Sequence, residues 1–281
     1  MTSKTDPSAP SEPSGTSVEQ TELGRLLAEH IMPVTPELRV HPSLAGRLQE
    51  RIARSVAAHS SLLTVRAKNG VWQTLKKGIQ FKMLWQGDQG NSVLINFAPG
   101  AVLPEHKHNW LEEGIVLRGG LQVGDLDLGV FDYHAAPSGS HHQRIQSRQG
   151  GLAYLRGTSV GNAPAVAREL LGGLLPFGKA ESQTVFADEV DGWHTIAAGV
   201  SRKHLYSDGV LASCLLRMEA GATVALHGHP QNEECMMLSG ELFLGDILLR
   251  AGDYQLAPAG STHGEAYSDV GALLFLRGSA D

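Results

Sequence analysis

One pattern is written twice in this chain, and the two copies stand 121 residues apart. Trp72 and Trp193, Gly78 and Gly199, Asp132 and Asp253, Tyr133 and Tyr254, Pro137 and Pro258, and Arg156 and Arg277 all obey that offset. The match runs without a gap over roughly ninety residues, which makes it an internal duplication. A chain of 281 residues has room for two ordinary domains. The fold must therefore be built from two similar units in tandem.

The duplicated part that carries chemistry is Gly100-Ala-Val-Leu-Pro-Glu-His106-Lys-His108-Asn-Trp-Leu-Glu112, repeated as Gly221-Ala-Thr-Val-Ala-Leu-His227-Gly-His229-Pro-Gln-Asn-Glu233. On a strand, residues two apart point to the same face, so each His-x-His pair presents two imidazoles side by side. Glu112 and Glu233 share the parity of their histidines. Further on, Pro137-Ser-Gly139-Ser-His141-His142 and Pro258-Ala-Gly260-Ser-Thr-His263 each offer a third imidazole. His142 is preferred over His141 because it aligns with His263, whereas His141 aligns with Thr262. Three neutral imidazoles and one carboxylate suit a divalent transition metal and leave coordination positions open. The expected metal sets are His106, His108, Glu112 and His142 in the first copy, and His227, His229, Glu233 and His263 in the second. Zinc is the first expectation; iron or manganese suits the same donors. An isolated His-x-His would be only a polar strand face, but four donor residues recurring at one offset point to a metal site in each copy.

Composition narrows the function classes. A net charge of −6 with no long basic run argues against a nucleic-acid partner and against an anionic membrane surface. No apolar run is long enough to span a bilayer, and the polar start lacks the apolar stretch of a signal peptide. Only Cys214 and Cys235 occur, so no disulfide framework is implied and the cytoplasm is the expected compartment. The 33 glycines fit many short strands joined by tight turns.

Taken in order, residues 1–17 are polar, Pro- and Ser-rich, and read as a disordered tail. Residues 18–60 form an N-terminal helical segment. Its first helix runs from Val18 to about His30 with Leu23, Leu26, Leu27 and Ile31 as its stripe. Its second runs from Ser43 to about Ala58 and should bury Leu44, Leu48, Ile52 and Val56. Residues 61–158 read as a first small β-barrel, 159–182 as a linker with a helix from Ala163 to about Leu175 stopped by Pro176-Phe-Gly178, and 183–281 as a second barrel. Gly124-Asp125 and Gly245-Asp246 should be hairpin turns. A helix followed by a barrel, twice over, is the simplest organisation.

The spacing Gly-x5-His-x-His-x3-Glu-x6-Gly, met in full by Gly100 to Gly119 and by Gly221 to Gly240, resembles the first cupin motif. The second cupin motif, Gly-x5-Pro-x-Gly-x2-His, is similar to Gly252, Pro258, Gly260 and His263. In the first copy Phe131 stands where that motif has its leading glycine. The resemblance covers roughly residues 60 to 281 and implies a mainly β bicupin with two tandem jelly-roll barrels. A narrower resemblance is to the ChrR-like cupins, carried by Trp72 and Trp193, by Asp132-Tyr133 and Gly252-Asp253-Tyr254, and by Met32-Pro-Val-Thr-Pro36 ahead of an Arg-rich helix. ChrR proteins are zinc-binding anti-sigma factors in which the cupin senses stress. The chain departs from them, because the N-terminal His-x3-Cys-x2-Cys zinc motif is absent.

Two functions follow as expectations. One is a regulatory metal-binding sensor of a small molecule or oxidant that signals through its N-terminal helices in transcription regulation, with a sigma factor as partner left open. The other is a cupin-type non-haem dioxygenase. The expected partners are a small-molecule ligand or substrate and a second copy of the chain in a homodimer. Among neighbouring residues, Glu113 and Glu234 read as solvent-facing or paired acids, Arg156 and Arg277 as structural salt-bridge partners, and Cys214 as core. Cys235, which shares the face of Glu233, reads as either a small buried hydrophobe or a thiol beside the second metal site, and Trp110 as either a gate or a rim aromatic.

Overall fold

The computed structural model describes residue 25, residues 42–172 and residues 181–280. The tail at 1–17, the helix expected from Val18, and the stop at Pro176-Phe-Gly178 lie outside the described residues. Two compact units divide the chain, residues 1–53 and 54–281. Among the described residues, helix α1 (Pro42–His59) and helix α2 (Ala163–Gly172) accompany a body made of strands. No helix among them is long and apolar enough to cross a membrane.

The strands form two jelly-roll units of matching design. In the first, a sheet runs through Tyr133–Ala136, Glu112–Gly119, Gly151–Thr158, Gly90–Phe97, Ile79–Gly87 and Trp72–Lys76, all antiparallel. A four-stranded sheet of Val102–Leu103, Ile145–Gln146, Leu121–Val123 and Leu126–Leu128 faces it. Ile79, Ile95, Phe97, Val116, Leu121 and Ile145 fill the space between. The second unit repeats this with Val200, Leu216, Met218, Met237, Leu242 and Leu249 inside. Gly124 (φ 58°) and Gly245 (φ 56°) sit at the expected hairpin turns, in the left-handed conformation that those turns require. Phe131 is the one described non-glycine residue with positive φ, at 70°, and Gly252 in the equivalent place has φ 86°. The turn of the second motif is therefore kept at the cost of backbone strain.

The two units are not simply strung together, as a barrel-then-barrel reading supposes. Strand Leu63–Val65 precedes the first barrel in sequence but pairs with Tyr254–Ala257 of the second. Strand Gln183–Val185 precedes the second barrel but pairs with Tyr133–Ala136 of the first. Each half thus lends its leading strand to the other. The duplicated Asp132 and Asp253 hold these loans in place. Asp253 Oδ1 accepts the Ala67 N–H at 2.7 Å, and Asp132 Oδ1 accepts the Ala187 N–H at 2.7 Å.

A shared apolar core seals the two halves face to face. Leu84, Ile115, Tyr133 and Tyr154 of the first pack with Met236, Tyr254 and Phe275 of the second. Buried charge crosses the same seam in both directions. Arg156 Nε donates to Glu234 Oε1 at 3.0 Å, and Arg277 Nη1 lies 3.0 Å from Glu113 Oε2. Glu234 Oε2 also accepts hydrogen bonds from Tyr154 (2.9 Å), Tyr254 (2.8 Å) and Ser92 hydroxyls, while Glu113 accepts one from Tyr133 at 2.7 Å. Of the two readings, paired acids rather than solvent-facing ones are found, and the salt bridges of Arg156 and Arg277 join the halves.

Helix α1 departs from expectation on one point. Its stripe of Leu44, Leu48, Ile52 and Val56 is exposed rather than buried, at 49–65%. Periodicity identifies an apolar face but not whether anything covers it.

Candidate metal centres

The expected donors come together in both halves. His106 and His142 sit directly opposite each other on an antiparallel pair, and so do His227 and His263. The turn at Pro137–Ser140 then ties down the second histidine of each His-x-His motif. His108 N–H donates to Ser140 O at 3.1 Å and Gly139 N–H to His108 O at 2.9 Å; His229 and Gly260 repeat this at 3.0 and 2.7 Å. Gly139 and Gly260 have φ near 80°, which explains the glycine at that motif position. Glu112 and Glu233 open the long strands that follow. In each set, one donor atom from every residue lies within 4.8 Å of the others. Imidazole centroids are separated by 4.4–5.4 Å in the first set and 4.5–5.0 Å in the second.

Burial and mutual contacts shift the protonation of these groups, and His108 and His142 of the first set are held neutral. Burial, followed by the neighbouring histidines His106, His134 and His141, holds His108 down to about 3. His142 is also pushed well down by burial and by its histidine neighbours. These rings are neutral, with lone pairs available. Burial raises the pKa of Glu112. In the second set burial lowers His229, whereas His263 is raised: burial opposes this, but the hydrogen bond and charge of Glu233 outweigh it. His106 Nδ1 lies 3.0 Å from Pro104 O, and His227 Nδ1 lies 3.0 Å from Ala225 O. A carbonyl only accepts, so Nδ1 carries the proton and Nε2 is left with its lone pair. Both ring nitrogens of His108, Nδ1 of His142 and Nε2 of His229 are buried without a hydrogen-bond partner. Unpaired buried nitrogens are costly, and a metal would satisfy one of them on each ring. The residues present therefore fit a divalent metal, one in each half.

One further residue belongs to the first centre. His134 Nε2 lies 3.0 Å from His142 Nε2, and its Nδ1 lies 2.8 Å from Thr184 Oγ1 on the lent strand. Burial lowers its pKa to about 4. The repeat rule conceals it, because the second copy has Gln255 there, bonded to Thr64 of the other lent strand at 3.2 Å. Its presence on a strand eight residues before His142 was the available signal.

The two centres differ in access. All four donors of the first are buried. The cavity beside it, of about 60 Å³, is lined by Leu75, Ile95, Leu103 and Ile145 and, from α2, by Val166, Glu169 and Leu170. Asn162 caps that helix, its Oδ1 accepting the Ala165 N–H at 3.2 Å, and Glu169 ties it down by accepting from Ser159 Oγ at 2.7 Å and Asn109 N at 3.1 Å. Trp110 is half-buried and is not among the residues that line this cavity. In the second half, His227 and Glu233 border a cavity of about 460 Å³. Cys214 lines this cavity instead of the core, because its strand turns Ser213 toward the other half. Cys235 is buried beside Glu233 and His263, and burial pushes its thiol well up, so it stays protonated.

Comparison with known proteins agrees with this architecture. The profile of the ChrR cupin-like domain matches twice, at residues 60–159 and 181–280. No curated protein matches the chain in sequence. Among solved structures, a candidate dioxygenase from Nostoc punctiforme is 16% identical with a TM-score of 0.60, covering 79% of this chain and 83% of that one. The oxalate decarboxylase of Lactobacillus farciminis is 14% identical with a TM-score of 0.56, covering 77% and 86%. That of Bacillus subtilis is 18% identical with a TM-score of 0.54, covering 78% and 76%. At such identities the likeness speaks for the fold alone. Two full matches to one domain profile, on two jelly rolls that each gather three histidines and a glutamate, place this chain in the ChrR cupin-like family as a bicupin.

Proposed function

We propose that this bicupin is a metal-dependent sensor of a small molecule or oxidant. The observation that carries this reading is the inequality of its two centres. Each borders a small cavity, of about 60 Å³ in the first half and about 50 Å³ in the second, but only the second among the described residues also borders a cavity of about 460 Å³. A protein turning over the same substrate in both halves would need access to both. Each metal-facing carboxylate is followed in sequence by the glutamate that crosses to the opposite half: Glu112 by Glu113, Glu233 by Glu234. A change at the open centre thus has a covalent route to the seam. Zinc is the proposed metal; when bound it would supply Lewis acidity and an exchangeable coordination position. His106, His108, Glu112 and His142 would hold one ion, and His227, His229, Glu233 and His263 the other.

The competing reading is an oxygen-activating enzyme, favoured by the open position at the second centre. Metal analysis of the protein as purified, paired with an oxygen electrode, separates the two. The sensor reading expects zinc and no oxygen uptake with any organic acid tried. Iron accompanied by steady oxygen consumption would overturn it.

A further inference from the structure

Helix α1 leads the first copy of the duplication and α2 leads the second. They begin at matching positions, Pro42 and Ala163, which are 121 residues apart. The strands that follow them are the two lent strands, Leu63–Val65 and Gln183–Val185, so each helix is tethered to the half that its own repeat does not build. From α2, Val166, Glu169 and Leu170 line the cavity beside the first metal set. The buried residues of α2 are Ala165 and Glu169. At the offset these are Leu44 and Leu48, the first two residues of the stripe that α1 leaves exposed. The 460 Å³ cavity lies at the matching place in the second half. Leu75, Leu155 and Thr158, which share the first cavity with α2, become Ile196, Leu276 and Ser279 in its wall.

The residues against which α2 rests differ between the halves in step with the helix. Glu169 accepts hydrogen bonds from the Asn109 N–H at 3.1 Å and from Ser159 Oγ at 2.7 Å, and Asn109 Nδ2 donates to Ala165 O at 3.2 Å. At the offset, Glu169 corresponds to Leu48, Asn109 to Pro230 and Ser159 to Ala280, which stands in the wall of the large cavity. A polar set turns apolar at all three positions, and Pro230 has no N–H to leave unpaired. Size is exchanged as well. A Cβ at Gly172 would meet Lys107 Cβ at 3.2 Å, so the lysine of the first half sits close over a glycine of α2. The counterparts are Gly228 in the second half and Arg51 on α1, which moves the bulk to the helix and the space to the barrel. A helix and a barrel face that never met would have no reason to differ from the first pair in this matched way.

We propose that α1 is a lid for the second metal centre. It docks over the mouth of the 460 Å³ cavity of its own chain, with Leu44 and Leu48 placed as Ala165 and Glu169 are in the first half, and with Leu48 against Pro230 and Ala280. The tether decides in favour of the same chain. Leu63–Val65 is already paired with Tyr254–Ala257 of the second half, and His59 Nε2, at the end of the helix, would lie 3.1 Å from a Cβ placed at Gly245. The contact is apolar, without the hydrogen bonds that hold α2, and is therefore reversible. The lid follows from the repeat and stands whether the second centre senses or catalyses.

Cross-linking of the full-length protein tests the docking, in a Cys214→Ser background that removes the thiol lining the same cavity. A short bis-maleimide should join Leu48→Cys to Ala280→Cys within one chain. It should leave Glu50→Cys and Ala280→Cys unjoined, because Glu50 lies on the opposite face of the helix. Zinc removal by a chelator tests the lid, in a background of His106→Ala and His108→Ala so that only the second centre is read. Leu48→Glu should speed removal roughly tenfold, since it puts a charge into an apolar contact. Adding Ala280→Ser should recover part of this by restoring the hydroxyl that Glu169 meets in the first half. On an undocked helix Leu48→Glu is close to neutral, and circular dichroism checks that helix content is kept in every variant. No cross-link from Leu48→Cys, or equal cross-linking from Glu50→Cys, would overturn the docking. A cross-link formed only between chains would overturn its assignment to the same chain, and equal zinc removal from Leu48→Glu and its parent would overturn the lid. If the second centre holds no zinc, the cross-link alone decides the docking, so failure of the metal assignment is told apart from failure of the proposal.

Discussion

Replacing Arg277 by Met should destabilise the protein far more than replacing an equally close surface arginine. Arg277 Nη1 lies 3.0 Å from Glu113 Oε2, and the two side chains are 3% and 1% exposed. Arg250 Nε lies 2.9 Å from Glu241 Oε1, but those side chains are 65% and 37% exposed. Distance alone ranks the pairs as equal; burial separates them. Removing Arg277 leaves Glu113 buried with the Tyr133 hydroxyl at 2.7 Å and the Arg156 guanidinium 4.0 Å away. Stranding a buried charge in this way costs about 3–5 kcal/mol. The lower part of that range is expected, because Glu113 Oε2 makes no aligned hydrogen bond even in the intact pair. Arg250→Met should cost less than about 1 kcal/mol. Guanidinium denaturation of both variants, read as a shift in midpoint at unchanged slope, measures the difference. Adding Glu113→Gln to Arg277→Met should recover part of the loss, since the amide carries no charge to strand. A cost for Arg277→Met no greater than that for Arg250→Met would refute the claim that buried crossing charges hold the halves together.

Other outcomes follow from the same geometry. His134→Ala should weaken the first metal site by about 10–100-fold, the usual effect of losing a partner that orients a ligand, and leave the second site untouched; competition with a chelator in a variant lacking His227 and His229 reads this directly. For the metal-free protein the sign is the same as for any depressed group: His108 contributes stability in full above about pH 6.5, and loses it as pH falls toward its folded value of about 3. A midpoint flat from pH 7 to pH 4 would contradict this. Residues 18–60 hold His30, His41 and His59 but no cysteine, so a peptide of that segment titrated with zinc should gain no helix by circular dichroism. A sharp stoichiometric gain would restore a zinc-ligated anti-sigma domain.

The two clusters of three histidines and a glutamate were legible because two local rules converge on them. Strand parity selects His106, His108 and Glu112, and the offset of 121 selects His142 over His141. The same offset hid His134, since a rule that keeps only what both halves share discards whatever one half has gained. The strand exchange was illegible for another reason. Leu63–Val65 is three residues long, and nothing in it specifies a partner some 190 positions away at Tyr254–Ala257. Glu113 and Glu234 lay between the two cases. Their parity turned them away from the metal, but their cations come from the opposite half and cannot be read from either strand alone. Cys214 was misplaced because Ser213, not Cys214, faces the seam, and an apolar run does not say which parity is inward.

Metal stoichiometry tests the central claim most directly. The full-length protein, loaded with zinc and dialysed, should carry two ions per chain by elemental analysis. The pair His106→Ala and His108→Ala should remove one, His227→Ala and His229→Ala the other, and all four together both. Retention of two ions in either double variant, with the fold intact by circular dichroism, would contradict the assignment of one centre to each half.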